Sequence, residues 1–250
     1  MTPPIPVLLY HSVSRRDSFA VAPDDFVCHA EAIAACGRTA LTMSELADGL
    51  RGLRALPELC VAITLDDGYR DTVGAIETLR THGLCSTLYV ASGRIGDADA
   101  ITAEQVGMLA GWRESVELGA HSVTHRRLDE LSTLAAEREI RASKDAVEQL
   151  AGRRVNTFAY PHGAFDHHVR ELVIDAGYTS AGAVKNTLSH QHDDPFAIAR
   201  WTVRSRTTVG DLTAVLNGSG APRAWRGQRV RTRAFRVVRR ARRSFKRTAA

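Results

Sequence analysis

No stretch of the 250 residues approaches about 18 uninterrupted apolar positions, so the sequence holds no transmembrane helix. Residues Met1 to Pro6 lack a basic region followed by a long apolar run, so no secretory signal is expected. The four cysteines, Cys28, Cys36, Cys60 and Cys85, follow neither a CxxC pattern nor a disulfide-framework spacing. They are expected to be reduced and mostly buried thiols, with the cytoplasm as the default compartment. Asp and Glu disappear after Asp211, whereas twelve of the 33 Lys and Arg residues lie between Arg223 and Arg247. That leaves 21 basic residues against all 28 acids in residues 1–222, a balance of −7 beneath the overall +5. The chain is therefore an acidic body with a basic tail, and the two need separate explanations.

The body alternates apolar runs with helix-period stretches. Strands are expected at Pro6–Tyr10, Cys60–Leu65, Leu84–Val90, Val116–Ala120, Val155–Tyr160, near Ser180 and near Ala197–Val203. Helices are expected over Asp25–Cys36, from Thr42 to Leu50, from Gly68 to about Thr81, and over Thr102–Ala110, Ser132–Leu150, Asp166–Ala176 and Val209–Leu216. Thr42 with Glu45 three residues later forms a capping box. Strands separated by helices of this length imply βα units and a parallel sheet or barrel in one domain, 1–216. Residues 217–222 contain Gly, Ser and Pro and are expected to link that body to the tail, 223–250.

In parallel α/β folds, functional groups gather where strands end, because the loops there open onto one face. In this chain those ends carry His11, Asp66-Asp67-Gly68, His121-Ser122-Val123-Thr124-His125 and Tyr160-Pro161-His162-Gly163. Adjacent residues on a regular strand point to opposite faces, so Asp66 and Asp67 can share a pocket only if the backbone leaves strand geometry, which Gly68 permits. Taken alone, DDG is equally well a surface turn. His121 and His125, four apart, suit two imidazoles on one metal if the segment turns after its strand, although a capping or core role is the commoner use of histidine. Together with an aspartate they make a two-histidine, one-carboxylate set that leaves positions open for water and substrate.

The run Ile63-Thr64-Leu65-Asp66-Asp67-Gly68-Tyr69 resembles the TFDDG motif of the polysaccharide deacetylases, the NodB-homology proteins of carbohydrate esterase family 4. His121-Ser122-Val123-Thr124-His125 is similar to their HSxxH motif, and Phe158-Ala159-Tyr160-Pro161-His162-Gly163 to their proline-glycine motif. The likeness runs from about Val7 to Arg204. It implies an irregular (β/α) barrel of about seven strands. It also implies a divalent metal ion, Zn²⁺ being the first expectation, on Asp67, His121 and His125. Asp66 would be the general base, the backbone N–H of His162 an oxyanion donor, and Tyr160, Pro161 and Gly163 part of the substrate-binding turn. The implied reaction is removal of an N-acetyl or other N-acyl group from an amino sugar.

Two departures stand out. Ala159 occupies a position where most relatives carry an arginine that orients the base, and Arg200 is the candidate replacement. The usual histidine near the carboxyl terminus is missing, but Val7-Leu8-Leu9-Tyr10-His11-Ser12 resembles the segment that opens the poly-N-acetylglucosamine deacetylase branch. That makes His11 the candidate acid for the leaving amine, against a buried histidine that caps a strand. His190 and His192 are expected in a solvated loop. A deformylase, a cyclic-amide hydrolase of the same fold and an inactive carbohydrate-binding homologue are the alternatives. In the tail, Val230, Ala234, Val237, Val238, Ala241 and Phe245 fall at helical spacing among arginines, so peripheral contact with the inner face of an anionic membrane is expected, with no specific nucleic acid as partner.

Overall fold

The computed structural model describes residues 3–15 and 17–224; the tail residues 225–250, with their expected amphipathic helix, lie outside the described residues. The chain runs β1 (Val7–Tyr10), α1 (Pro23–Ala35), β2 (Thr39–Leu41), α2 (Met43–Leu50), β3 (Cys60–Leu65), α3 (Thr72–Thr81), β4 (Ser86–Val90), α4 (Ala103–Gly111) and β5 (Val116–Ala120). It continues through α5 (Thr133–Ala151), β6 (Thr157–Ala159), α6 (His167–Asp175), β7 (Ser180–Val184), β8 (Ile198–Thr202) and α7 (Val209–Leu216). Among the described residues no helix is long and apolar enough to cross a membrane.

Every strand pairing is parallel, and β1 closes the sheet by pairing with both β8 and β3. The result is a seven-stranded ring, β1-β3-β4-β5-β6-β7-β8, wrapped by the helices. The irregularity has a local cause. At Ala62 the strand β3 pairs with Val7 of β1 and with Leu41 of β2, and at Thr64 with Leu9 of β1 and Thr87 of β4. One edge of β3 belongs to β1, so β2 and β4 share the other, one after the other along its length. β2, absent from the expected elements, is a three-residue plug in the gap where β3 and β4 part.

Strand alternation divides the core. Leu8, Tyr10, Val61, Ile63, Leu65, Leu88, Val90 and Phe158 face the helices and form the larger apolar cluster with them. Val7, Ala62, Tyr89, Ala159 and Ile198 point into the barrel, where they meet Met43 and Leu46 of α2. The capping box at Thr42 is present, with Glu45 accepting from the Thr42 N–H at 3.0 Å. Two further boxes, Thr102 with Gln105 and Thr208 with Asp211, open α4 and α7. Such caps contribute about 0.5–2 kcal/mol each. β6 stops at Ala159, short of the expected Tyr160, because Pro161 has no N–H to continue a ladder and turns the chain into a 3₁₀ turn. After α7 the chain folds back on the body: the Leu188 N–H donates to the Pro222 carbonyl and the Ala224 N–H to the Leu188 carbonyl.

Candidate active site

The carboxyl ends of the strands open onto a cleft of about 400 Å³ whose lining includes His11, Asp66, Asp67, His121, His125 and His162. Alternation carries Asp66 inward, because Ala62 and Thr64 of β3 already face the barrel interior. Asp67 should then point outward, yet it lines the same cleft because its own backbone is left-handed, φ 75°, as is that of Gly68 at 70°. The departure from strand geometry thus begins at Asp67 itself, one residue earlier than the glycine suggests.

Asp67, His121 and His125 each offer one ligand atom, and these atoms lie within 4.8 Å of one another. Asp67 Oδ1 is 3.0 Å from His125 Nε2 and 3.3 Å from His121 Nε2, and the two Nε2 atoms are 3.1 Å apart. Buried Asp67 Oδ1 makes no hydrogen bond despite these short separations. A buried carboxylate oxygen facing two imidazole nitrogens that themselves lie 3.1 Å apart fits a divalent cation of the borderline class held by all three. The ring of His121 is fixed by one backbone contact. Its Nδ1 lies 2.8 Å from the Ala159 carbonyl, which can only accept, so Nδ1 carries the proton and Nε2 presents a lone pair.

The loop that carries His125 is clamped on both sides. Ser92 and Gly93 donate their N–H groups to the carbonyls of Ser122 and Val123. A Cβ on Gly93 would sit 2.7 Å from the Val123 carbonyl oxygen, so only glycine permits this approach. From α5, the Glu139 carboxylate accepts from the N–H groups of Val123 at 2.9 Å and Thr124 at 2.8 Å, and from the Thr124 hydroxyl at 2.6 Å.

Arg200 reaches Asp66. Ile198, Arg200 and Thr202 alternate inward along β8, and the fully buried guanidinium donates to both Asp66 oxygens, Nη1 to Oδ1 at 2.7 Å and Nη2 to Oδ2 at 2.8 Å. Nη1 also donates to Thr64 Oγ1 and Nε to the Ala183 carbonyl. Its path depends on Gly182, where an added Cβ would lie 2.8 Å from Arg200 Nε. Burial alone would raise the Asp66 pKa; Arg200 and His121 more than offset this and hold it below the ordinary carboxylate value. For Asp67, too, the lowering by His121 and His125 exceeds the effect of burial. For His121, burial works downward but Asp66 and Asp67 prevail, so its pKa is raised.

His11 lies on the far wall, edge-on to Phe19 with ring centroids 5.3 Å apart, and its Nδ1 is buried without a hydrogen bond. Burial lowers its pKa against the pull of Asp66 and Asp67. His162, φ 57°, packs its ring 4.5 Å from that of His125 and donates Nε2–H to the His125 carbonyl at 3.2 Å. Its motif neighbours do not reach the cleft with their side chains. Tyr160 is buried, donates its hydroxyl to the Phe196 carbonyl at 2.9 Å and stacks on Phe165, because β6 alternation sends it toward the helices. Pro161 is buried and Gly163 lies against Val184, so both shape the turn rather than line the cleft. Phe19, Arg127, Asn186 and Arg204 complete the cleft. No sequence signal marks them, since they lie in loops without a motif.

The polysaccharide deacetylase family model matches residues 54–181, and the chain belongs to that family. The matched stretch holds Asp66, Asp67, His121, His125 and His162; His11 and Arg200 lie outside it. The Bacillus subtilis protein YxkH, itself named for this family, is 27% identical over 175 residues, covering 70% of this chain and 62% of YxkH. The chain therefore spans about three fifths of that relative. The peptidoglycan-N-acetylglucosamine deacetylase PgdA of Listeria monocytogenes is 26% identical over 115 residues, 45% of this chain and 23% of PgdA. The Streptococcus pyogenes deacetylase PplD, solved with acetate, shares the fold with a TM-score of 0.77 at 20% identity, over 86% of this chain and 99% of PplD. IcaB from Ammonifex degensii does so with a TM-score of 0.74 at 19% identity, over 86% of this chain and 97% of IcaB.

Proposed function

We propose that this protein is a metal-dependent hydrolase that removes the N-acetyl group of an amino sugar within a glycan or glycoconjugate. The observation that carries the proposal is the convergence of Asp67, His121 and His125 beside a buried carboxylate, Asp66, that an arginine keeps ionised. The named activity of PgdA and the acetate in PplD support acetyl as the acyl group. Asp67, His121 and His125 would hold the ion, Zn²⁺ by the chemistry of the donor set. When bound, a divalent ion lowers the pKa of a water and polarises the acyl carbonyl.

The protein's own groups do the rest. Asp66 Oδ2 lies 3.8 Å from His121 Nε2, so a water at the ligand group is within its reach and gives up its proton to it. Each carboxylate oxygen has a lone pair beyond the one facing Arg200, and the ion pair keeps Asp66 deprotonated at working pH. The backbone N–H of His162 meets the charge that develops on the acyl oxygen. His11, across the cleft, hands a proton to the departing amine.

The test uses the full chain, elemental analysis and acetate release from N-acetylglucosamine oligomers and N-formylated analogues. The wild-type protein should hold about one divalent ion per chain. His121→Ala should lose both ion and acetate release while remaining folded. Full metal content in that variant, or a zinc-loaded wild type that releases neither acetate nor formate, would overturn the proposal.

A further inference from the structure

Once Asp67 and its two histidines are assigned to a cation, the cleft retains two arginines that no acid pairs with among the described residues. Arg127 follows β5, two residues beyond His125, on the wall that carries His162. Arg204 follows β8 on the wall of His11 and Phe19, with its guanidinium 4.6 Å from the Phe19 ring centroid. Around the closed ring, β6 and β7 separate β5 from β8 in one direction, and β4, β3 and β1 in the other. The two arginines therefore enter the cleft from separate walls, after strands that are not neighbours.

The acids of the cleft are committed elsewhere. Asp66 is neutralised by Arg200, and Asp67 faces the two histidines. Asp17 turns Oδ1 back to accept the N–H groups of Phe19 and Ala20. Asn186 accepts from the Thr202 N–H through Oδ1, which leaves its amide donors for the cleft. A bound divalent ion adds positive charge to a lining already rich in donors. Such a cleft repels itself when empty and favours an occupant that brings negative charge to both sides. The planar guanidinium suits a phosphate or a carboxylate in particular, through paired N–H donors.

Building on the proposed deacetylase activity, we infer that the substrate carries an anionic group on each side of the N-acetylated sugar, one held by Arg127 and the other by Arg204. Such a substrate is a glycan whose units are joined through phosphodiesters or alternate with uronates.

Three length-matched oligomer sets test this with the zinc-loaded full chain: neutral N-acetylglucosamine, N-acetylglucosamine alternating with glucuronate, and N-acetylglucosamine linked through phosphodiesters. At low salt at least one anionic set should exceed the neutral set in kcat/KM by about tenfold or more, mainly through KM, since one charge-assisted contact is worth about that factor. The better set identifies carboxylate or phosphate. About 0.5 M salt should compress the preference, because exposed charges are screened. Arg127→Gln and Arg204→Gln should each reduce the ratio, and the double variant should bring it close to one. Binding of the same oligomers to zinc-loaded Asp66→Asn, followed by calorimetry, supplies a readout independent of turnover. Anion-selective binding that needs both arginines, without hydrolysis of any set in the parent, would overturn the deacetylase proposal and leave this inference standing. Equal hydrolysis and equal binding of neutral and anionic sets would overturn this inference and leave the deacetylase proposal standing.

Discussion

At the amino-terminal end of the barrel, Ile5, Val7, Leu41, Met43 and Leu46 pack as an apolar plug. Toward the carboxyl-terminal end, Asp66 and Asp67 after β3, His121 after β5 and Arg200 near the end of β8 are all buried and all polar. The backbone follows the same division. Among the described residues, the five non-glycine positions with left-handed φ are Asp67, Ser122, His125, His162 and Asn186, and each follows the end of an inward-facing strand. Left-handed backbone and buried charge are both costly, about 1–3 kcal/mol for each strained residue by general experience. Asp, His and Asn are among the residues that bear this conformation best. The plug and the helix layer hold the strands, and the mouth draws on that stability to keep polar groups in a geometry they would not choose alone.

The largest break in this comparison should come from the two groups proposed to carry protons, Asp66 and His11. Asp66→Asn should retain the metal yet lose about 10²–10⁴ in hydrolysis, the range of a positioned general base. Elemental analysis beside acetate release checks both halves. His11→Ala should lose a comparable factor on amides but little on activated esters, whose leaving groups need no proton. The sign of the pH effect follows from burial, which lowers the His11 pKa. The donor is the protonated form, so amide hydrolysis should decline with rising pH through a value below the ordinary imidazole range of about 6.5. Equal losses on amide and ester in His11→Ala would remove it as the acid.

A smaller effect should separate stability from chemistry. Arg200→Met leaves the Asp66 carboxylate buried without its partner, which costs about 3–5 kcal/mol in comparable buried pairs. It should also raise the Asp66 pKa, so that activity is lost at a higher pH on the acid side. The pair Asp66→Asn with Arg200→Met should recover part of the stability and none of the activity. Met43→Ala in the plug should cost about 2–5 kcal/mol by urea unfolding while kcat/KM at a permissive temperature stays within about threefold. A Met43 variant that lost activity in proportion to stability would show that the two ends are not separable.

Much of this organisation was legible in the sequence, for reasons that also mark its limits. The alternating βα pattern implied a parallel sheet or barrel, because strands of this length need helices to cross between them, and the family resemblance pointed to the barrel. Arg200 could be named from the sequence as the candidate replacement for the missing arginine. That it meets Asp66 depends on ring closure through β1 and on the space left by Gly182, neither of which a local pattern contains. β2 has three residues and no period of its own, so it emerges only as a partner for the exposed edge of β3. Tyr160 looked like part of the binding turn because it sits inside a motif. Strand parity sends its ring the other way.

The smallest predicted effect concerns Glu139, which touches no cleft group and yet bears on the proposed metal ligands. Its carboxylate takes two backbone N–H groups and one hydroxyl from Val123 and Thr124, midway between His121 and His125. Ser122 and His125 flank this pair in left-handed backbone, so the loop is held in a shape it would otherwise relax from. Glu139→Ala removes both acceptor oxygens and with them all three hydrogen bonds, and lets His125 drift relative to His121 and Asp67. Partners that fix ligand-bearing groups are typically worth about 10–100-fold in metal affinity, and that is the expected loss. Glu139→Gln should recover most of it. Its remaining oxygen still accepts the two amides, and the Thr124 hydroxyl can rotate to accept from the new NH₂. Competition with a zinc chelator measures the affinity, and acetate release at saturating zinc should change far less than the affinity does. Parent-like zinc affinity in Glu139→Ala would mean that Ser92 and Gly93, donating from the other side, are sufficient to hold the loop.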